Sequence, residues 1–484
     1  MLEVADHSLI AGEGPLSKVG RPVAGRSRRW IVLGVAVAVV TTAVMLGGPP
    51  ALYATGLWID GGSATVTPGF FEDVPEPTGD AADLPVSPEA VATPRTATAV
   101  PAASAVASRV ASVSRTGLGT TAMTFLDAAD GTVVYDENAQ QALTPASNMK
   151  VLSTLAALEV LGPGTTFTTE VVTSGAGQIV LVGGGDPYLT ATTRSDYPER
   201  ASLEQLAQRT ATALKKTGTT TVVLGYDTSL FSGPDWHPDW TDGYSSEVAR
   251  VVSLAVDGSR TSEGMPVADP VANAVTAFVS ALARQGITVT STAPATASAG
   301  ATQLASVSSP AVSVIVEQIL LHSDNDAAET LARHTALASG QPASFTGAAA
   351  AITAVLAKLG LLDSGALIRD GSGLSKSNRV TTGMLARAVR ASLHSDAFGA
   401  VVSGLPLAGV SGTLQTRYST NAGRGQVWAK TGFLSGIHGL TGILVTLDGD
   451  VLVFSMLVNG QADRGIAQPA LDAITSAVVT CGCS

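Results

Sequence analysis

Two Asp-Gly dipeptides, each set between strand-like runs, bracket the folded part of this 484-residue chain and constrain its architecture more than any other feature. Residues 121–135 alternate in polarity around Asp130-Gly131, and residues 440–447 lead through Asp448-Gly449 into the apolar run 451–458. Asp-Gly readily supplies the positive φ angles of a tight hairpin, so each segment predicts two adjacent antiparallel strands. An amphipathic stretch, 469–479, predicts a closing helix. Hairpins at both ends, with helical patterns between, predict an antiparallel sheet assembled from both ends of the chain, an α+β arrangement.

Residues 166–304 read differently. Short strand-like runs (170–172, 178–182, 219–224) alternate with helix-like ones (203–216, 271–285), and a Gly/Ser/Thr/Ala-rich passage covers 290–302. The region is expected to be an inserted domain that splits a larger one into 112–165 and 305–484. At this length two or more folded units are the natural expectation, and a 45% hydrophobic fraction can fill their cores.

Ahead of the folded body, residues 1–29 are expected to be a cytoplasmic tail ending in the cluster Arg26, Arg28, Arg29. The apolar run 30–48 follows, near the lower length limit for crossing a bilayer, and the basic cluster before it orients the rest of the chain outward. A transmembrane anchor is favoured over a cleaved signal peptide. The leading tail is long, and the only small-residue exit, at Ala54, has Leu52 close by. On either reading the body is exported, and with the anchor it sits on the extracytoplasmic face of the membrane. Residues 49–111, rich in Pro, Ala, Thr and Ser, are expected to be a flexible stalk, because they hold too little apolar surface to offset the entropy of ordering.

Charge and cysteine usage exclude several classes. A net charge of -11, with no Lys/Arg run in the body, argues against a nucleic-acid partner. The six histidines show no metal-ligand spacing, and no metal or other cofactor is expected. Cys481 and Cys483 lie at the end of the chain, too few for a disulfide framework and without the second pair of a zinc site. A terminal tail with a local or intermolecular disulfide is the expectation.

Three short motifs carry the chemistry. The first, Ser147-Asn148-Met149-Lys150, follows Thr144-Pro145-Ala146 and opens a run with Val151, Leu155 and Leu158 at helical spacing, closed by Gly162-Pro163. Positions i and i+3 of a helix are neighbours, so the Lys150 amine would lie beside the Ser147 hydroxyl. A lysine in apolar packing has a lowered pKa and can take that hydroxyl's proton. The second motif, Ser323-Asp324-Asn325, offers a hydroxyl to pass a proton to a leaving amine and an amide to hold a substrate backbone. The third, Lys430-Thr431-Gly432, ends a strand-like run, 426–430, whose edge would dock an extended peptide. Lys430 and Thr431 would meet a terminal carboxylate there. The backbone N–H groups of Phe433 and Ser147 would form the oxyanion hole. Each motif alone is equally compatible with a helix cap, a turn or a surface lysine. In this order they are the motif set of penicillin-binding proteins and class A β-lactamases.

Further stretches narrow the match: residues 144–150, 183–187 (GGGDP), 226–231 (YDTSLF), 323–329, 370–375 (DGSGLS), 405–414 (LPLAGVSGTL) and 430–434. On these residues the chain, from about 112 onward, resembles the class C low-molecular-mass penicillin-binding proteins, the D-alanyl-D-alanine carboxypeptidase/endopeptidase family. The resemblance implies a penicillin-binding transpeptidase-like (serine β-lactamase-like) domain with a large insertion between the first two motifs. It also implies a serine DD-peptidase acting on peptidoglycan stem peptides, acylated by β-lactams as covalent inhibitors. By the same resemblance Ser147 is the nucleophile, Lys150 its base, Ser323 the relay and Asn325 the substrate holder, while Lys430 and Thr431 bind the carboxylate. Asp227 would meet the free amine of the stem-peptide side chain, and Asp370 would shape the active-site wall. Phe433 departs from the family's usual small or hydroxylated residue and bears on substrate preference. A class A β-lactamase is disfavoured because the insertion is foreign to it and its Glu-x-x-Leu-Asn loop cannot be found. A penicillin-binding sensor or scaffold on the same fold is the remaining alternative.

Overall fold

The computed structural model describes residues 101–461 and 463–481. The expected cytoplasmic tail, the apolar run 30–48 and the stalk up to residue 100 lie outside the described residues, as does Cys483. Among the described residues no helix is long and apolar enough to cross a membrane.

Both hairpins form, and they form one sheet. Strands β1 (Thr120–Asp127) and β2 (Val133–Glu137) flank Gly131, at φ 83°. Strands β9 (Ile437–Val445) and β10 (Val451–Asn459) flank Gly449, at φ 94°. With β8 (Val427–Leu434) they give the antiparallel order β2-β1-β10-β9-β8. The N-terminal hairpin joins the C-terminal one through β1 and β10, paired from Thr120 with Asn459 to Asp127 with Leu452. Almost all of β9 and β10 is buried, because helices cover both faces of the sheet.

On one face α10 (Arg464–Val479) packs beside α1 (Ala103–Ala111), with Val106, Val110, Leu471, Ile474 and Val478 in a shared core. Residues 103–111, expected within the stalk, lie in this core instead. They are a helix because Val106 and Val110, four apart, give an otherwise small-residue segment one apolar stripe to bury. The closing helix also begins earlier than its expected start at Pro469, which lies inside it; Asp463 caps the N-terminus by accepting from the Gly465 N–H. Cys481 is buried at the end of α10 and is disulfide-bonded.

The opposite face carries α2 (Met149–Leu161), α5 (Val312–His322), α6 (Asn325–Ala338), α7 (Phe345–Lys358), α8 (Thr382–Leu393) and the short α9 (Gly399–Ser403). Helix α2 is buried on every side from Met149 to Leu158, so it runs through the centre of this layer.

A second sheet has the order β6-β5-β4-β3-β7, built from β3 (Thr168–Gly175), β4 (Gln178–Val182), β5 (Thr221–Asp227), β6 (Thr288–Pro294) and β7 (Thr302–Ser308). It is mixed, with β4-β5-β6 parallel and β3 antiparallel to both β4 and β7. Helices α3 (Leu203–Lys216) and α4 (Pro270–Arg284) share its core through Leu206, Leu214, Phe278 and Leu282. Chain between β5 and β6 also packs against the elements around the first sheet, where Trp240 and Val248 meet Ala146, Leu374 and Leu434.

Candidate active site

The first motif is held by a bend rather than by the helix. Ala146–Asn148 is a single 3-10 turn before α2, so the helix expected to begin at Ser147 begins two residues later, at Met149. Ala146 takes φ 49°, a left-handed conformation costly for a residue with a Cβ, and its burial holds it there. Behind the turn the packing is close. A Cβ added at Gly373 would strike the Ala146 carbonyl, and one at Gly432 would strike the Asn148 amide and come within 2.8 Å of the Pro145 oxygen. Gly432 thus sits inside β8, not at its end as expected, where absence of a side chain lets strand and turn approach.

Lys150 is fully buried below this turn. Its Nζ donates to Ser147 Oγ at 2.9 Å, to Asn325 Oδ1 at 2.6 Å and to the Ser372 carbonyl at 2.8 Å. Burial lowers its pKa from 10.5 to about 8, and the carboxylates of Glu329, Asp370, Asp324 and Asp326 oppose a larger fall. Glu329 is the largest of these opposing influences. It lies one turn beyond Asn325 on α6 and accepts from the Ser372 N–H at 2.7 Å, so a single helix sets two of the lysine's three acceptors. Burial, and then Asp370, push the Glu329 carboxyl above the usual range.

The second motif is the junction of two helices. Ser323 ends α5 with φ 59°, and Asp324 caps α6 by accepting from the Ala327 N–H at 3.0 Å. Asn325 is the first residue of α6, and its Nδ2 donates to the Glu247 carbonyl at 2.9 Å while its oxygen takes Lys150. Lys430 from β8 completes the cluster. Its Nζ donates to Ser323 Oγ at 2.8 Å and to the Thr431 carbonyl at 2.7 Å. Burial, and then the Lys150 charge, hold the Lys430 amine well below its ordinary pKa.

These groups border a cavity of about 410 Å³ lined by Ser147, Ser323, Asn325, Thr431 and Phe433 among others. The structure therefore brings the expected site residues other than Asp227 to one place, although Lys150, Lys430 and Gly432 are not among those that line the cavity. Lys430 does not line the cavity. Strand alternation turns its side chain to the buried face, leaving the cavity wall to Thr431, which donates to Thr413 Oγ1 at 2.8 Å, and to Arg417. Asp227 does not line it either. It ends β5 in the second sheet, where its two oxygens accept from the N–H groups of Ser229 at 2.8 Å and Ala297 at 2.7 Å. Burial raises its pKa, but these hydrogen bonds outweigh that and leave it below the usual carboxylate range. Phe433 is 44% exposed at the cavity mouth, with the Arg464 guanidinium 4.9 Å from its ring centre.

From the stretch 370–375, Leu374 also lines the cavity. Asp370 accepts from the N–H groups of Gly373 at 2.9 Å and Ser375 at 2.5 Å, from Asn378 Nδ2 at 2.8 Å and from Trp240 Nε1 at 3.0 Å. The Ser372 carbonyl, Glu329, Thr413 and Arg417 escaped the sequence reading as site residues, although the first three lie inside stretches that carry the resemblance.

Comparison with known proteins agrees with this geometry. The D-Ala-D-Ala carboxypeptidase 3 (S13) family model matches residues 102–262 and 245–479. The chain is 34% identical over 480 residues to carboxypeptidase DacB of Mycolicibacterium smegmatis, covering 96% of this chain and 99% of that one. It is 28% identical over 419 residues to the D-alanyl-D-alanine carboxypeptidase of an Actinomadura species, covering 70% and 77%. Its fold is similar to that of penicillin binding protein 4 (dacB) from Haemophilus influenzae, with a TM-score of 0.63 at 19% identity over 77% of this chain and 98% of that one. The chain belongs to the D-Ala-D-Ala carboxypeptidase 3 (S13) family of serine peptidases.

Proposed function

We propose that Ser147 is the nucleophile by which this D-Ala-D-Ala carboxypeptidase cleaves peptidoglycan stem peptides, with Lys150 as its base. The observation that carries this reading is the 2.9 Å contact between Lys150 Nζ and Ser147 Oγ, made by a buried amine whose pKa is lowered to about 8. A neutral Lys150 takes the hydroxyl proton as Oγ attacks the carbonyl of the scissile bond. The N–H groups of Ser147 and Phe433 receive the developing oxyanion. Ser323, oriented by Lys430, passes a proton to the leaving amine, and the acyl-enzyme forms as the C–N bond breaks. Asn325 holds the peptide amide, and Thr431, backed by Thr413 and Arg417, takes the terminal carboxylate. Water then releases the shortened peptide and restores Ser147. A β-lactam would acylate the same hydroxyl and stay.

The catalytic body comprises 103–165 and 309–484, interrupted by the inserted domain 166–308; α1 packed in the core of the first sheet and β7 paired with β3 support these bounds. Residues 30–48 anchor it to the membrane, and the segment beyond them holds it on the extracytoplasmic face. The basic cluster before the apolar run supports that orientation. Incubating the purified enzyme with peptidoglycan and analysing the products by mass spectrometry tests the activity. Release of D-alanine or of un-cross-linked peptides is expected, and unchanged fragments would contradict it. Separation of the full-length chain with membranes, reversed only by detergent, tests the anchor, and recovery in the wash would overturn it.

A further inference from the structure

The orientation of one amide decides where the lone pair of Lys150 points. A neutral lysine carries two N–H groups and one lone pair. Two partners of Lys150 Nζ, Asn325 Oδ1 at 2.6 Å and the Ser372 carbonyl at 2.8 Å, can only accept. They take the two N–H groups and leave the lone pair for the Ser147 hydroxyl at 2.9 Å. With its amide turned over, Asn325 presents N–H groups to Nζ instead, and the lone pair is drawn away from Ser147.

What keeps the amide from turning is the Glu247 carbonyl, another pure acceptor, which takes Asn325 Nδ2 at 2.9 Å. Glu247 belongs to the chain between β5 and α4, and with Gly243 and Tyr244 it also lines the catalytic cavity. On either side of Glu247 the backbone is tied to the residue after Asn325. The Ala249 N–H donates to Asp326 Oδ1 at 2.6 Å. Asp326 Oδ2 accepts from Arg260 Nη2 at 2.7 Å, and Nη1 of the same guanidinium donates to the carbonyls of Ser246 at 3.2 Å and Gly264 at 3.4 Å. One carboxylate and one guanidinium thus clamp 246–249 at both ends onto the first turn of α6.

We propose that Asp326 and Arg260 are positioning residues for acylation: their ion pair straps 246–249 to α6, fixes the Asn325 amide between Glu247 and Lys150, and so aims the lysine lone pair at Ser147. The inference rests on Lys150 as the base and makes the region between β5 and α4 part of what orients it.

Acid loosens the strap. Burial, and then the charge of Asp324, raise the Asp326 carboxyl to about 6, against the pull of the Ala249 N–H and of Arg260. Glu329 stands one turn further along α6, and Lys150 feels the Asp326 charge. Arg250 and Asp186 border Asp326 across one small cavity. Tyr188, Arg194, Arg200, Glu247, Asp257 and His322 border it across a larger one of about 510 Å³. Of these, Arg250 is paired with Asp235 at 2.8 Å and Arg194 with Asp257 at 2.7 Å. Arg260 is therefore the charge that protonation of Asp326 releases.

The test follows acylation by penicillin in full-length wild type, Arg260→Ala, Arg260→Lys and Asp326→Asn, from about pH 5 to about 9.5. It separates the limiting acylation rate from the penicillin concentration that gives half of it. At neutral pH Arg260→Ala should lower the limiting rate by about tenfold and leave the half-saturating concentration within about twofold, because the strap aligns the base and does not hold the β-lactam. Arg260→Lys should recover part of the loss. Between about pH 7 and about pH 5 the wild-type rate should fall about tenfold further than that of Asp326→Asn, which has no charge to lose. Thermal melting reports that each variant is folded, and if Arg260→Ala does not fold, Arg260→Lys and Asp326→Asn carry the comparison. Wild-type limiting rates in the variants, a loss confined to the half-saturating concentration, or the same acid limb in wild type and Asp326→Asn would overturn the strap. A flat wild-type profile would instead overturn the reading of Lys150 as base.

Discussion

Lys150 and Lys430 approach the same cavity from below, and each holds a different serine: Lys150 donates to Ser147 Oγ at 2.9 Å and Lys430 to Ser323 Oγ at 2.8 Å. Both amines are fully buried, and the charge of the first helps to depress the second. Two ammonium groups this close disfavour each other, so the site resists carrying both charges at once. On the proposed mechanism one hydroxyl loses a proton and the other passes one on.

The first prediction concerns pH. With its pKa lowered to about 8, Lys150 is about one-tenth neutral at pH 7, and only the neutral amine can accept the Ser147 proton. The second-order rate of acylation by penicillin should rise about tenfold from pH 7, with its midpoint near 8, and level off above about pH 9. Stopped-flow fluorescence across pH 6 to about 9.5 measures it, and a flat profile would count against Lys150 as base.

Glu329 offers a finer check. Its charge raises the Lys150 pKa, and its carboxylate accepts from the Ser372 N–H. Glu329→Gln keeps an acceptor but removes the charge, so the midpoint of the acylation profile should move to lower pH. Glu329→Ala leaves the Ser372 N–H buried without a partner and should lower stability by about 1–3 kcal/mol. An upward shift in the glutamine variant would contradict the assigned electrostatics.

Gly432→Ala tests the packing behind the nucleophile. The added Cβ meets Asn148 and the Pro145 carbonyl, so the turn carrying Ser147 must move. Overpacking of this kind costs about 1–3 kcal/mol, and a shifted nucleophile should slow acylation by about a hundredfold. Thermal melting and acylation, measured together, separate the two effects. Unchanged values for both would show that the turn is not held by this contact.

Asp227→Ala is expected to act on stability alone. Its carboxylate caps two backbone N–H groups in the second sheet, so its loss should cost about 1–3 kcal/mol and depress activity on all substrates alike. A selective loss on substrates with a free side-chain amine would restore the role first suggested by the sequence.

The parts of this structure legible in the sequence are those whose signals are local. Asp130-Gly131 and Asp448-Gly449 announced their hairpins because the turn chemistry lies within the turn. The spacing of Ser147 and Lys150 announced their contact because neighbouring turns impose it, although a 3-10 turn, not the helix, carries the serine. Strand β6 and the start of β7 were hidden in a Gly/Ser/Thr/Ala-rich passage. Nearly every side chain of β6 is exposed, so no apolar alternation marks it. The placement of Lys430 and Asp227 was not legible, because strand facing and local capping depend on distant partners. Glu329 reaches Lys150 through Ser372, 43 residues away along the chain, a relation that spacing cannot reveal.

The central claim is that Ser147 is the residue acylated. Wild-type enzyme and Ser147→Ala should be incubated with penicillin, digested, and mapped by tandem mass spectrometry. The account predicts a single penicilloyl adduct on Ser147 in wild type and none in the variant, with both proteins folded. An adduct on another residue, or undiminished acylation of Ser147→Ala, would contradict it.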